Sequence, residues 1–105
     1  MSKKTPSRSA GVSSSATGKR LATAVGIEFS GSGFRVVMSD GRALDLRYED
    51  FPFLRDAAPE ERSKGVIDAK GTAIWWEELL EGISVAGLIG VSETELEDFA
   101  GVYRR

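Results

Sequence analysis

The sequence predicts a small α+β domain in which a short antiparallel sheet is accompanied by short helices. Apolar and polar residues alternate with a period of two between positions 25 and 48, which is typical of strands with one buried face. The stretch 50–64 instead combines helical spacing with two prolines. A serine followed three residues later by a glutamate, at 92 and 95, marks the start of a last helix. These three observations together indicate the α+β class.

The first two strands are joined by a glycine-rich turn. Val25, Ile27 and Phe29 predict a strand with these side chains on its buried face, and the alternation resumes over 34–38. The intervening Gly-Ser-Gly at 31–33 resembles part of a phosphate-binding loop. It lacks the third glycine, however, and a strand rather than a helix follows it. We therefore interpret 31–33 as a turn.

The register of the hairpin that ends near residue 48 depends on whether its loop has two or three residues, because the loop length decides which side chains face each other. A two-residue loop at Asp40-Gly41 would mix apolar and charged residues on each face. A three-residue loop over 39–41 places Arg35 opposite Asp45 on the solvent side and gives Gly41 the positive φ of a G1 bulge. It also matches apolar residues with each other: Phe34 with Leu46, and Val36 with Leu44. We predict the three-residue loop.

The second half of the chain predicts short elements. Pro52 and Pro59 suit the first turns of two short helices within 50–64, and Glu60 with Lys64 has the spacing of a helical ion pair. Two short strands, about 66–68 and 72–76, flank a turn at 70–71.

Two further helices are predicted near the end of the sequence. The first covers 84–89 and ends at Gly90. The second begins with a capping box formed by Ser92 and Glu95 and ends near Gly101.

The side-chain inventory excludes several kinds of chemistry. The 105 residues include no histidine, cysteine, asparagine or glutamine. Ser-His-Asp triads, Cys-His dyads, zinc fingers and His-carboxylate metal sites are therefore excluded. The usual side chains that read adenine are also absent. We expect no catalytic residue, no metal and no cofactor.

Charge divides the chain into two parts. Residues 1–20 are rich in serine and carry five basic residues and no acidic one, whereas the remainder carries 9 basic and 16 acidic residues. We predict that 1–20 is a disordered basic tail and that 21–105 is a single α+β domain. No apolar run is long enough to cross a bilayer, and there is no cysteine framework, so we expect a cytoplasmic protein without a membrane partner.

Trp75 and Trp76 are the first candidates for an interaction site. Adjacent strand residues point to opposite faces of a sheet, so one tryptophan should join Ile74 in the core and the other should lie on the opposite face. If that second indole is exposed, it is a candidate interface anchor. The alternative is that both faces of the strand are covered.

Glu77, Glu78 and Glu81 complete the candidate interaction residues. We interpret them as a solvated acidic edge beside the tryptophans. A pair of carboxylates could alternatively perform acid–base chemistry or hold a hard cation. On a helix, Glu77 and Glu81 would repel each other mildly.

Several segments together resemble one small bacterial family of unknown function, DUF2442. The likeness is carried by SDGRALDL at 39–46, FPFL at 51–54, AAPEER at 57–62 and IWWEELLEGISVAGLIG at 74–90. The resemblance implies an α+β fold with a small antiparallel sheet and no established activity. It also implies relatives fused to helix-turn-helix domains, and others encoded beside small proteins as in toxin–antitoxin pairs.

The chain departs from the pattern of that family at several positions. Trp75 stands where the family usually has histidine, and Gly65 where many relatives have tryptophan. Glu77 replaces a proline, while Leu80 and Gly82 replace acidic residues. Any role that depends on that histidine or on those acids is not expected here.

Three functions follow as hypotheses. The leading one is a non-catalytic protein–protein interaction module whose tryptophan-bearing, acidic sheet edge seats a small basic protein partner. The second is a nucleic-acid-associated regulator that uses residues 1–20 as a basic arm. The third is an enzyme that uses carboxylates alone, Glu78 with either Glu81 or Asp68. The sequence leaves the oligomeric state open.

Overall fold

Two antiparallel sheets, rather than one, carry the α+β fold that the sequence predicts. A computed structural model describes residues 20–102, which form two three-stranded sheets and four short α-helices. Nearly all of the predicted basic tail, residues 1–19, lies outside the described residues, as do 103–105 of the predicted domain.

The first sheet has the order β1-β2-β3, from strands Ala24–Phe29, Gly33–Met38 and Ala43–Arg47. The predicted register is confirmed: Phe34 faces Leu46, Arg35 faces Asp45 and Val36 faces Leu44. Gly41 has a φ of +93° in the connecting turn. On the solvent side Arg35 Nε donates to Asp45 Oδ1 at 2.7 Å, and this hydrogen bond lowers the pKa of Asp45.

A β-bulge in β1 makes one prediction about the buried face wrong. Ala24 pairs with Met38, but Gly26 pairs with Val37, so Val25 is an extra residue in this strand. The insertion turns Ala24 into the core and leaves Val25 60% exposed. Simple alternation cannot reveal such an insertion, because the bulge resets the parity of the strand.

The second sheet has the order β4-β5-β6, from Val66–Asp68, Ala73–Trp76 and Glu81–Ser84. Strands β4 and β5 were predicted, whereas β6 was not. No helix runs from Glu77 to Glu81: a 3-10 turn over Glu77–Leu79 ends at Leu80 with a φ of +50°, and Glu81 begins β6. The idea of helical repulsion between these two glutamates is therefore wrong.

The four helices begin and end largely at the predicted signals. They are α1 (Pro52–Arg55), α2 (Pro59–Arg62), α3 (Val85–Ile89) and α4 (Glu93–Ala100). Both prolines occupy the first turn of a helix, and α3 and α4 end at Gly90 and Gly101 in the left-handed conformation. The predicted capping box at the start of α4 is present. Helix α2 ends before Lys64, which bonds to Glu78 rather than to Glu60.

The hydrophobic core joins the two sheets. The ring of Phe34 from β2 meets the ring of Trp76 from β5 edge-on, with centroids 5.8 Å apart. Leu54 of α1, Val85 of α3 and Leu96 of α4 are each fully buried in the same cluster. The helices therefore cover the core, and α4 is anchored to it mainly through Leu96.

Candidate functional site

The two tryptophans lie on opposite sides of β5, as predicted. Trp76 is only 1% exposed and shares the core with Ile74. Its indole N–H donates to the backbone oxygen of Arg62 at 2.9 Å, and its ring stacks edge-on with Phe53. Trp75 is half-buried on the other face. Of the candidate tryptophans, Trp75 is therefore the one that a partner can contact.

The indole of Trp75 is held in place from two directions. Its N–H donates to Glu77 Oε1 at 2.8 Å. Across the sheet Trp75 pairs with Gly82, and a Cβ on Gly82 would lie only 2.9 Å from the Cε3 atom of the indole. The ring therefore occupies the space above a glycine, which explains why a glycine suits position 82. A ring fixed in this way loses little side-chain entropy when a partner binds.

Trp75 lines a groove with a volume of about 380 Å³. The groove lies between the second sheet and α4, and its polar or aromatic lining residues are Thr72, Trp75, Glu81, Ser84, Glu93 and Glu97. We call it the Trp75 groove. Three of these side chains are carboxylates, and among residues 20–102 no Lys or Arg lines the groove. An aromatic surface among carboxylates is suited to a cationic group.

The structure separates the five candidate interaction residues into two groups. Trp75, Glu77 and Glu81 come together, since Glu77 holds the indole and Glu81 lines the same groove. Trp76 lies in the core, and Glu78 instead faces Lys64, whose Nζ is 3.3 Å from its Oε2. The carboxylate pair of Glu78 and Glu81 that the enzyme hypothesis uses is thus divided between these two groups.

Asp68, the other carboxylate of that hypothesis, has a local structural contact. Its Oδ1 accepts the backbone N–H of Ala69 at 2.8 Å. Within the described part of the chain, no group of three or more Asp, Glu, His or Cys side chains could hold a metal ion.

Sequence reasoning missed two of the three carboxylates of the groove. Glu93 and Glu97 are four residues apart, so they share one face of α4, and this spacing was visible in the sequence. Nothing local, however, indicated that this face of α4 borders Trp75.

A strained turn contributes to the lining of the groove through Ala69. Ala69 and Lys70 have φ values of +50° and +57°, and Gly71 follows with +86°. Each of the two non-glycine residues costs about 1–2 kcal/mol in this conformation. Thr72 Oγ1 donates to the backbone oxygen of Ala69 at 2.8 Å, and Lys70 Nζ reaches the backbone oxygen of Gly101 at 3.0 Å. The turn is therefore fixed to the end of α4.

None of the helices in residues 20–102 is long and apolar enough to span a membrane.

Comparisons with other proteins agree with the sequence resemblance and with the fold. Residues 24–92 match the family described as "Protein of unknown function (DUF2442)". A crystal structure of a protein of unknown function from Rhodospirillum rubrum is similar, with a TM-score of 0.62 and 17% identity over 73% of this chain and 99% of that chain. No curated protein matches the sequence. The structure from Rhodospirillum rubrum shows that the fold is shared. The match over residues 24–92 shows that this chain belongs to the DUF2442 family.

Proposed function

We propose that this protein is a non-catalytic interaction module that binds a positively charged segment of a small protein partner in the Trp75 groove. The observation that carries the proposal is the half-buried indole of Trp75, held by Glu77, in a groove lined by Glu81, Glu93 and Glu97. A lysine or arginine side chain placed on such an indole gains cation–π energy, about 0.5–1 kcal/mol at exposed sites and more when water is excluded.

Charge supports a basic partner over an acidic one. Residues 20–102 carry 8 basic and 16 acidic side chains, a net charge of −8, and the groove adds no basic side chain of its own. Such a field attracts a basic segment and repels an acidic one, so it raises the association rate of the former. The proposal also places the protein in the cytoplasm, where it would meet a partner encoded by a neighbouring gene.

The binding experiment compares variants of the full-length protein as bait in the native host. The protein recovered with the wild type is identified, purified and titrated calorimetrically against each variant. We expect Trp75→Ala and the double variant Glu93→Lys/Glu97→Lys to weaken binding by roughly tenfold or more, as is usual for a central aromatic anchor and for reversed charges.

Glu60→Lys is the matched control, because Glu60 is an exposed glutamate on α2 that does not line the groove. It should leave the affinity nearly unchanged. If the wild type recovers nothing above background, or if Trp75→Ala binds the purified partner as tightly as the wild type, the proposal fails.

Nucleic-acid association through residues 1–20 is the second candidate, and the sequence observation in its favour is five basic residues with no acid. Full-length protein and a form without 1–19 are titrated with DNA at two salt concentrations. A salt-dependent affinity that is lost on truncation supports this candidate. Equal binding by both forms contradicts it.

A further inference from the structure

A second pocket, which none of the five candidate interaction residues lines, collects hydrogen-bond donors. It has a volume of about 320 Å³ and is lined by Gly31, Ser32, Tyr48 and Glu49 together with Arg47, Arg55 and Arg62. We call it the arginine pocket. None of its three arginines lines the Trp75 groove, so the two surfaces are separate.

Arg62 is the fixed cation of the arginine pocket. Its Nε donates to the backbone oxygen of Leu54 and its Nη2 to that of Arg55, both at 2.8 Å. Its guanidinium carbon lies 5.3 Å from the centre of the Tyr48 ring. Among residues 20–102 no carboxylate pairs with Arg62, and a guanidinium carries five N–H donors, so further donors remain for a ligand.

The turn at 31–32 adds backbone donors. Within residues 20–102, neither Gly31 N–H nor Ser32 N–H donates to a protein acceptor, although the backbone oxygen of Ser32 accepts from Tyr48. Successive backbone N–H groups of a turn are a common way to hold oxyanions. In a phosphate-binding loop the positive end of a helix follows the glycine-rich turn. Here a strand follows the turn, and the positive charge comes from the neighbouring guanidinium groups.

The charges of the pocket favour a compact anion. Three arginines and one glutamate line it; Glu49 pairs with Arg47, and Asp56, which does not line the pocket, pairs with Arg55. A nucleic-acid backbone would also meet the net charge of −8 on residues 20–102, which repels a polyanion. A phosphate monoester, with a charge of about −1.5 to −2, needs only the local donors.

We propose that the arginine pocket binds a phosphate monoester group, held by Arg62, by the remaining donors of Arg47 and Arg55, and by the backbone of Gly31 and Ser32. The group could belong to a small molecule or to a phosphorylated side chain, since both present the same three oxygens. This site is independent of the proposed function of the Trp75 groove.

The test is a titration of the ¹⁵N-labelled full-length protein with inorganic phosphate and, separately, with a short phosphoserine peptide, at constant ionic strength set with chloride. We expect saturable shifts of the amide resonances of Gly31 and Ser32, with the hairpin turn at 39–41 unaffected. Tighter binding of the peptide assigns the group to a phosphorylated protein, and equal binding assigns it to a small molecule.

The double variant Arg47→Gln/Arg55→Gln should weaken phosphate binding by roughly tenfold or more, because bonds to charged groups are the strong ones. Arg35→Gln is the matched control, since Arg35 is also exposed and paired with an aspartate but does not line the pocket. The proposal is overturned if the Gly31 and Ser32 resonances of the wild type saturate with neither phosphate nor the phosphoserine peptide. It is also overturned if a folded double variant binds as the wild type does.

Discussion

Adding one methyl group at Gly65 should destabilise the protein through Trp76. A Cβ at position 65 would lie 2.5 Å from Cε2 and 2.6 Å from Cζ2 of the Trp76 ring. Ordinary carbon contacts are about 3.5–4.0 Å, so the ring or the chain at 65 must move by about 1 Å.

The ring has little room for that movement. Trp76 is 1% exposed, its N–H is bonded to the Arg62 oxygen at 2.9 Å, and its ring contacts both Phe34 and Phe53. Overpacking of this kind costs typically 1–3 kcal/mol. For a change of about 2 kcal/mol, the midpoint of thermal unfolding should fall by roughly 8–16 °C in a domain of this size.

Gly87→Ala is the matched control for Gly65→Ala. Position 87 lies within α3, and a Cβ there meets no heavy atom within 4 Å. Alanine should therefore raise the free energy of unfolding by about 0.5–1 kcal/mol, because glycine is entropically unfavourable in a helix. Thermal and urea unfolding followed by circular dichroism measure both variants. A Gly65→Ala protein as stable as the wild type would refute the reasoning about Trp76.

Three further predictions concern stability. Ser92→Ala removes the acceptor for the Glu95 N–H at 3.0 Å and should cost about 1 kcal/mol in urea unfolding, whereas Ser92→Thr should retain most of that stability. Leu80→Gly should gain about 0.5–1 kcal/mol, because Leu80 is 71% exposed and has a φ of +50°; Leu80→Ala keeps the unfavourable φ and should show no such gain. The side chain of Asp40 accepts hydrogen bonds from the backbone N–H and from the guanidinium of Arg42. These bonds, the backbone one most strongly, hold the pKa of Asp40 below the ordinary 3.8. This contribution is present above pH 3.8 and is lost as the pH falls through the folded-state pKa, so Asp40→Asn should flatten the pH dependence of unfolding below pH 3.8; an unchanged acid profile would contradict it.

Local patterns were sufficient where one face of an element decides its structure. The hairpin register followed from parity alone, because a shift by one residue would bury Asp45 or Arg35. The ends of α3 and α4 followed from Ser92, Gly90 and Gly101, whose preferences at helix ends are local.

Features that depend on neighbours distant in sequence could not be predicted in the same way. The bulge at Val25 changes which residue enters the core, and β6 contains Glu81 and Gly82, which do not favour a strand on their own. Strand β6 is explained by its pairing with β5 and by the indole that lies over Gly82. The sequence therefore placed the two tryptophans on opposite faces of β5, but it did not indicate which of them is exposed and could not place α4 beside Trp75.

The hydrogen bond from Lys70 to Gly101 holds α4 against the rest of the Trp75 groove, so the shape of the groove depends on whether α4 stays in place. Helix α4 supplies Glu93 and Glu97 to one wall of the groove, and its attachments include the buried Leu96 and the bond from Lys70 to Gly101, the residue that follows the helix. A helix of eight residues with one fully buried side chain is expected to open locally at a lower free energy than the sheets. Opening of α4 would remove this wall, so the affinity for the proposed partner would be the intrinsic affinity multiplied by the fraction of molecules with α4 docked. Hydrogen exchange in α4 would therefore report the fraction of molecules in which the proposed binding groove is complete.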